Sequence, residues 1–298
     1  MASYAGLSGT VYLTGAGPGS AKLLTVRGVE VLKSADVVFH DDLVTEEILG
    51  LIPSHVGVYN VGKRCGLKKI SQEQIQEKIV QAARSGQTVV RLKGGDPLVF
   101  GRAQEEIAAL RENGIPFEIV PGVTAACAAA AVAEISLTDR KAASKVVFLS
   151  NHQCSEKGER LWGKTFEDST LVFYMPGRDL ESLQQELLEN GMDGATPCLL
   201  ISQAARPAQE VVRMTIRDLG SLPRAAAPSV LIVGATGAGA RVDLHLERKD
   251  RAVRPLGEEM VLELAEEAPA ATDQFPALRL RISPERSAAS FTSTPILG

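Results

Sequence analysis

At 298 residues the chain is long enough to bury a sizeable core, and 45% hydrophobic with 23% charged residues is the balance of a soluble globular protein. A net charge of -4 and 4% aromatics argue against nucleic acid as a partner, and no apolar run reaches the ~20 residues of a membrane helix. Cys65, Cys127, Cys154 and Cys198 form no C-x-x-C pair. No secretory signal is read at Met1-Ala2-Ser3-Tyr4, so reduced thiols and a cytoplasmic setting are expected.

In chain order, the pattern predicts a strand over 11–13, then a helix capped by Thr25 and running to about 34, with Val29 and Leu32 on its apolar face. Strands over 37–39 and 56–61 follow. Ser71 and Gln74 have capping-box spacing at the head of a helix over 71–84. Next come a strand over 88–93, a helix over 103–113 stopped by Gly114, a strand over 117–120, and a small-residue helix over 125–133. This alternation predicts an α/β fold with a mostly parallel N-terminal sheet covered by helices on both faces.

The second half has strand candidates over 146–150, 171–174, 198–202, 211–215 and 230–233, with one clear helix over 180–190. Successive strands predict a mixed sheet. The expected organisation is an N-terminal domain over 9–137, a polar linker within 138–145, a C-terminal domain over 145–240, and an irregular, disordered tail over 241–298. Pro255, Pro269, Pro276, Pro284 and Pro295 interrupt every run of that tail.

The chemistry-bearing segments sit where parallel strands end. Gly15-Ala16-Gly17-Pro18-Gly19-Ser20 fails the dinucleotide fingerprint, because Ser20 replaces the third glycine and Pro18 interrupts the turn. Neither a phosphate-binding loop nor a nucleophile elbow is present, and His40, His55, His152 and His245 lack metal-ligand spacing, so no metal is expected. Lys93-Gly94-Gly95-Asp96-Pro97 lets backbone approach a ligand closely and offers a carboxylate. His40-Asp41-Asp42, Val61-Gly62-Lys63-Arg64 and Pro121-Gly122-Val123-Thr124 end further strands. Such ends converge on one crevice in a parallel sheet. Lys63, Arg64, Lys68, Lys69, Arg91, Lys93, Arg102 and Arg140 lie in or beside them, a basic lining suited to a polyanionic small molecule.

These loops, in this order, resemble the uroporphyrinogen-III C-methyltransferases of the tetrapyrrole methylase superfamily, over about 9–234. The resemblance rests on Gly15-Ala16-Gly17-Pro18-Gly19, Val61-Gly62-Lys63-Arg64, the run from Val89 through Arg102, Pro121-Gly122-Val123-Thr124-Ala125-Ala126 and Leu171-Val172-Phe173-Tyr174-Met175. It implies a two-domain class III methyltransferase fold with a tetrapyrrole substrate, S-adenosyl-L-methionine in a cleft between the domains, and a homodimer. It carries cofactor contacts onto Pro18, Gly94, Gly95, Asp96, Val99, Thr124, Ala125, Met175 and Ala204. The family's proton acceptor and donor fall on Asp41 and Lys63. The implied reaction methylates C2 and C7 of uroporphyrinogen III, giving precorrin-2; the alternatives are a methylase of a later corrin intermediate or a non-catalytic tetrapyrrole- or cofactor-binding protein. Ala103-Gln104, Asp139 and Ala204 depart from the family pattern, which usually has two glycines, a His and a glycine there.

Overall fold

The protein is described by a computed structural model over residues 8–62, 70–150, 168–177, 179–222 and 225–239. Lys63 and the expected tail over 241–298 lie outside the described residues. The first sheet contains β1 (Val11–Gly15), β2 (Val37–His40), β3 (Gly57–Asn60), β4 (Val89–Lys93) and β5 (Phe117–Val120), in the order β3-β2-β4-β1-β5. Every neighbouring pair is parallel.

Strand alternation gives this sheet two apolar faces. Val11, Leu13, Val37, Phe39 and Val89 pack on α3 (Gln72–Arg84) and α4 (Ala103–Glu112), through Ile75, Ile79, Ile107 and Leu110. Val38, Val90 and Leu92 face α1 (Val26–Lys33) and α2 (Glu46–Leu49), through Val31, Leu32 and Ile48. The doubly covered parallel sheet expected from the alternation is therefore present.

Both predicted caps form. Thr25 Oγ1 accepts from the Gly28 N–H at 3.0 Å, and Ser71 with Gln74 makes the full capping box, each worth about 1 kcal/mol. The buried stripe of α1 runs through Gly28, Val31 and Leu32, while Val29 is only half-buried. The four-residue α2 was not predicted, because one turn is too short to show a periodicity.

The second sheet contains β6 (Lys145–Ser150), β7 (Ser169–Tyr174), β8 (Pro197–Ser202), β9 (Glu210–Thr215) and β10 (Ser229–Val233), ordered β6-β7-β10-β8-β9. Only the β6–β7 pair is parallel, so the sheet is mixed, as expected. Leu171, Phe173, Leu200 and Leu231 pack on α6 (Leu180–Glu189) through Leu183 and Leu187. The opposite face, with Val172, Leu199, Ile201 and Ile232, receives α5 (Ala125–Val132) through Ala126, Ala129 and Ala130. Alanine side chains let this helix sit close to the sheet. Its buried face therefore belongs to the mixed sheet's core, although the chain reaches it before the expected linker.

Candidate active site

Because β1, β2, β4 and β5 run parallel, the loops that follow them share one edge of the sheet. Two of these loops are stitched together backbone to backbone. Gly17 donates to the Gly95 carbonyl at 3.1 Å, and Gly95 donates back to Gly17 at 2.8 Å. The loop after β5 joins the same stack: a Cβ on Gly122 would lie 2.4 Å from the Gly95 oxygen, and one on Gly15 would lie 2.6 Å from Gly122. No side chain fits there. Gly95 is different, with φ of +71° and open space in front of it; the nearest atom to an added Cβ would be the Ala125 nitrogen at 4.0 Å. That is a bare-backbone cradle which a side chain would fill.

Asp96 organises this stack as well as bordering it. One carboxylate oxygen accepts from the Leu98 N–H at 2.8 Å, the other from the Gly122 N–H at 3.0 Å. Each oxygen keeps a lone pair for a ligand. Gly94 packs against the loop after β2: a Cβ on it would stand 2.9 Å from Leu43 Cβ.

The mixed sheet supplies the facing loops. Met175, directly after β7, is 46% exposed, with φ of 51°. Ala204, after β8, is buried, and Val99 and Ala125 pack against the same core cluster. Phe100, Arg102, Gln203 and Ala205 also hold positive φ. Left-handed backbone costs a residue with a side chain on the order of 1 kcal/mol or more, and it gathers at functional loops. Tyr174 ties the two sheets together. Its hydroxyl shares a hydrogen bond with Thr124 Oγ1 at 2.6 Å and accepts from the Ala126 N–H at 3.2 Å, while its ring packs on Phe100 and Phe148. Burial raises the Tyr174 pKa, with the Thr124 bond opposing.

Beneath the loops lies a cluster of buried charge. Glu106, 1% exposed, accepts from Arg91 Nε at 2.9 Å, Lys93 Nζ at 2.9 Å and Gln72 Nε2 at 3.2 Å. Arg91 reaches Asp41 Oδ1 through Nη2 and the Phe39 and Leu92 carbonyls through Nη1. Burial works against the Arg91 guanidinium, but the charges of Asp41 and Glu106 outweigh it and its pKa is raised. Burial, followed by the Arg91 charge, pulls the Lys93 ammonium below its ordinary value. For Arg91, Lys93 and Arg102 this corrects the expected basic lining. Strand alternation turns Arg91 and Lys93 under α4, where acids neutralise them, and Arg102 pairs with Glu105. Lys63, Arg64, Lys68 and Lys69 lie outside the described residues.

Asp41 is the sequence-predicted residue that this cluster positions. Its N–H donates to the Leu92 carbonyl at 3.2 Å, and its side chain is 29% exposed. Its Oδ2 has no protein partner among the described residues. Asp139, the unusual acid, is exposed and closes its own turn, with Oδ1 accepting from the Lys141 and Ala142 N–H groups.

Sequence reasoning missed Glu106, Tyr174 and Arg206. Arg206 donates to the Pro18 carbonyl at 3.1 Å and the Leu43 carbonyl at 2.7 Å. Only the Leu-Val-Phe-Tyr-Met run pointed toward Tyr174; the other two carry no local signal. Among the described residues no group of His, Cys, Asp or Glu could hold a metal, and no helix is long and apolar enough to cross a membrane.

The family model for tetrapyrrole (corrin/porphyrin) methylases matches residues 10–220. Siroheme synthase 1 of Klebsiella pneumoniae subsp. pneumoniae is 42% identical over 229 residues, covering 76% of this chain and 49% of that protein. The chain thus spans about half the length of the curated relatives it matches. The uroporphyrin-III C-methyltransferase of Thermus thermophilus, solved with S-adenosyl homocysteine, is 35% identical, with a TM-score of 0.67 over 76% of this chain and 98% of that one. A cobalt precorrin-4 methyltransferase of cobalamin biosynthesis is 27% identical, with a TM-score of 0.67 over 76% of this chain and 94% of that one.

Proposed function

Since the chain belongs to the tetrapyrrole (corrin/porphyrin) methylase family, we propose that it transfers methyl groups from S-adenosylmethionine to C2 and C7 of uroporphyrinogen III, giving precorrin-2 for sirohaem or cobalamin. The observation that carries this reading is the bare cradle at Gly95 together with a carboxylate, Asp41, that Arg91 holds through one oxygen while the other has no partner among the described residues.

Bound S-adenosylmethionine supplies an electrophilic methyl group on sulfur. Pro18, Gly94, Gly95, Asp96, Val99, Thr124, Ala125, Met175 and Ala204 would hold it; the glycines admit it to the backbone, and Met175 and Ala204 close from the other sheet. Much of the rate then comes from alignment of the reacting carbon. A substrate ring carbon that accepts the methyl leaves the macrocycle cationic until a proton departs. Asp41 takes that proton on the oxygen that Arg91 does not hold. Lys63 supplies a proton or pairs with a substrate carboxylate. The same reading makes the protein a cytoplasmic homodimer with separate N- and C-terminal domains; sedimentation tests the dimer.

Incubation with S-adenosylmethionine and enzymatically made uroporphyrinogen III should yield a product heavier by two methyl groups in mass analysis. Bound S-adenosylhomocysteine with no methylated tetrapyrrole would overturn the assignment. Asp41→Asn should lower turnover by about 100-fold or more while cofactor affinity holds. Unchanged turnover removes Asp41 from proton transfer. The likeness to a cobalt precorrin-4 methyltransferase supports a second reading, a later corrin substrate, which swapping substrates in this assay separates.

A further inference from the structure

The loop after β8 carries a guanidinium between two loops of the other sheet. Arg206 donates through Nε to the Pro18 carbonyl and through Nη2 to the Leu43 carbonyl. Pro18 belongs to the glycine-rich turn after β1, and Leu43 lies two residues beyond Asp41. One planar fork thus holds both loops in register. The aliphatic stem crosses Gly19, where a Cβ would lie 2.6 Å from Arg206 Cγ. Thr45 Oγ1 donates to the Gly19 carbonyl at 2.6 Å, fastening the same turn from α2's N-terminal flank.

The segment that delivers Arg206 is built with strain. Gln203 and Ala205 hold φ of 49° and 59° on either side of Ala204. Hydrogen bonds impose this shape. Gln203 donates to the Pro228 carbonyl at 2.7 Å, Arg206 to the Gln203 carbonyl at 3.0 Å, and Ala205 to Gln209 Oε1 at 3.2 Å. Left-handed backbone at residues with side chains persists where surrounding contacts over-determine it, and it clusters at ligand clamps.

Arg206 is also partly desolvated, with no counter-charge among the described residues. Burial lowers its pKa, and its printed partners are both backbone carbonyls, with no carboxylate pairing among the described residues. Exposed arginines here, such as Arg27 and Arg102, sit on glutamates. Desolvating a cation to serve two carbonyls is a poor route to stability alone. It is a good route to fixing two loops at once.

Building on the methyltransferase reading, we propose that Arg206 is a positioning residue: it locks the Pro18 turn to the loop of Asp41 and Leu43, and so sets both cofactor affinity and the placement of Asp41. Loss of the latch leaves each loop intact but lets them move independently, so a ligand must then be bound at the cost of ordering them.

Calorimetry with S-adenosylhomocysteine on wild type, Arg206→Lys and Arg206→Met tests this, with thermal midpoints on the same samples. Methionine keeps the apolar stem over Gly19 and removes every donor. It should weaken binding about tenfold or more, since hydrogen bonds from a charged donor are strong ones. Lysine, a point charge on a similar stem, should recover part of the loss. With saturating cofactor, Arg206→Met should also lower kcat for tetrapyrrole methylation, because Asp41 is no longer held in place.

Unchanged affinity in folded Arg206→Met overturns the proposal. So does an equal loss in both variants that follows their thermal midpoints, which is the signature of a merely structural contact. If Arg206→Met does not fold, Arg206→Lys decides: partial loss of affinity at an unchanged midpoint supports the latch, and full affinity overturns it. A wild type that binds S-adenosylhomocysteine but methylates no tetrapyrrole ends the functional reading, while the affinity series still judges Arg206. A wild type that does not bind it ends both.

Discussion

The two sheets bring their loops together by different means. The parallel sheet relies chiefly on absence: Gly15, Gly95 and Gly122 stack backbone on backbone, and the ions beneath them are buried and paired, with Phe100 after β4 the side chain that reaches across to Tyr174. The mixed sheet uses presence. Its core facing α6 is apolar, and its loops force Met175, Gln203 and Ala205 into left-handed backbone so that side chains such as Arg206 reach across. The difference teaches a division of labour. Backbone can touch a ligand only where no Cβ intervenes, whereas a latch between sheets needs long side chains and accepts strain to aim them.

The sharpest way to break this comparison is Glu106→Gln. It leaves Arg91 and Lys93 buried with too little negative charge, so denaturant unfolding should show a loss of about 3–5 kcal/mol. Leu187→Ala, in the mixed sheet's core, should lose a comparable ~2–5 kcal/mol through a cavity, yet leave S-adenosylhomocysteine affinity intact. A Glu106→Gln variant within 1 kcal/mol of wild type would show that the buried ions are not mutually dependent.

Gly122→Ala comes next. Its methyl group would meet the Gly95 oxygen, so a destabilisation of about 1–3 kcal/mol should accompany loss of cofactor binding, both read from one titration series. Wild-type binding would mean that the stacked backbones relax without consequence. Tyr174→Phe then probes the link between the sheets. Losing the bonds to Thr124 and Ala126 should cost about 1 kcal/mol and weaken cofactor binding a few-fold. No change in either would leave the ring packing as the only link at that point.

The smallest effect concerns Cys198 in the mixed sheet. Burial pushes its thiol up from 9.0 to about 12, with the Asp218 charge adding to the shift. The folded state therefore holds this proton more tightly than the unfolded chain. The corresponding stability is present below about pH 9 and is lost as the pH rises toward 12. At pH 8, iodoacetamide should label exposed Cys127 and spare Cys198 in peptide maps of the native protein. Equal labelling would show that this sheet opens far more readily than its packing implies.

Much of the fold was legible because its signals are local. Ser71 and Gln74 announce α3, strand-length apolar runs announce β1, β4 and β10, and Gly114 stops the helix before it. The glycine loops were legible as close-approach sites for the same reason. Arg91 and Lys93 were misread as lining because their neighbours in sequence are loop residues. Their direction is set by strand alternation and by Glu106, which α4 brings in from thirteen or more residues away. Asp139, which departs from the family pattern, is a turn residue that accepts from the backbone N–H groups of Lys141 and Ala142.

By itself, the sequence determined the alternation of strands and helices, the two kinds of sheet, and the loops where backbone must lie bare. Periodicity and glycine act over a few residues, and their physical meaning does not wait for the rest of the chain. The tertiary structure alone decided which charges are sealed beneath the strand-end loops, that Tyr174 joins the sheets, and that Arg206 spans from the loop after β8 to the carbonyls of Pro18 and Leu43. Those partners lie tens to more than a hundred residues apart, and a charge or a hydrogen bond has its value only once folding has chosen what stands within about 3 Å of it.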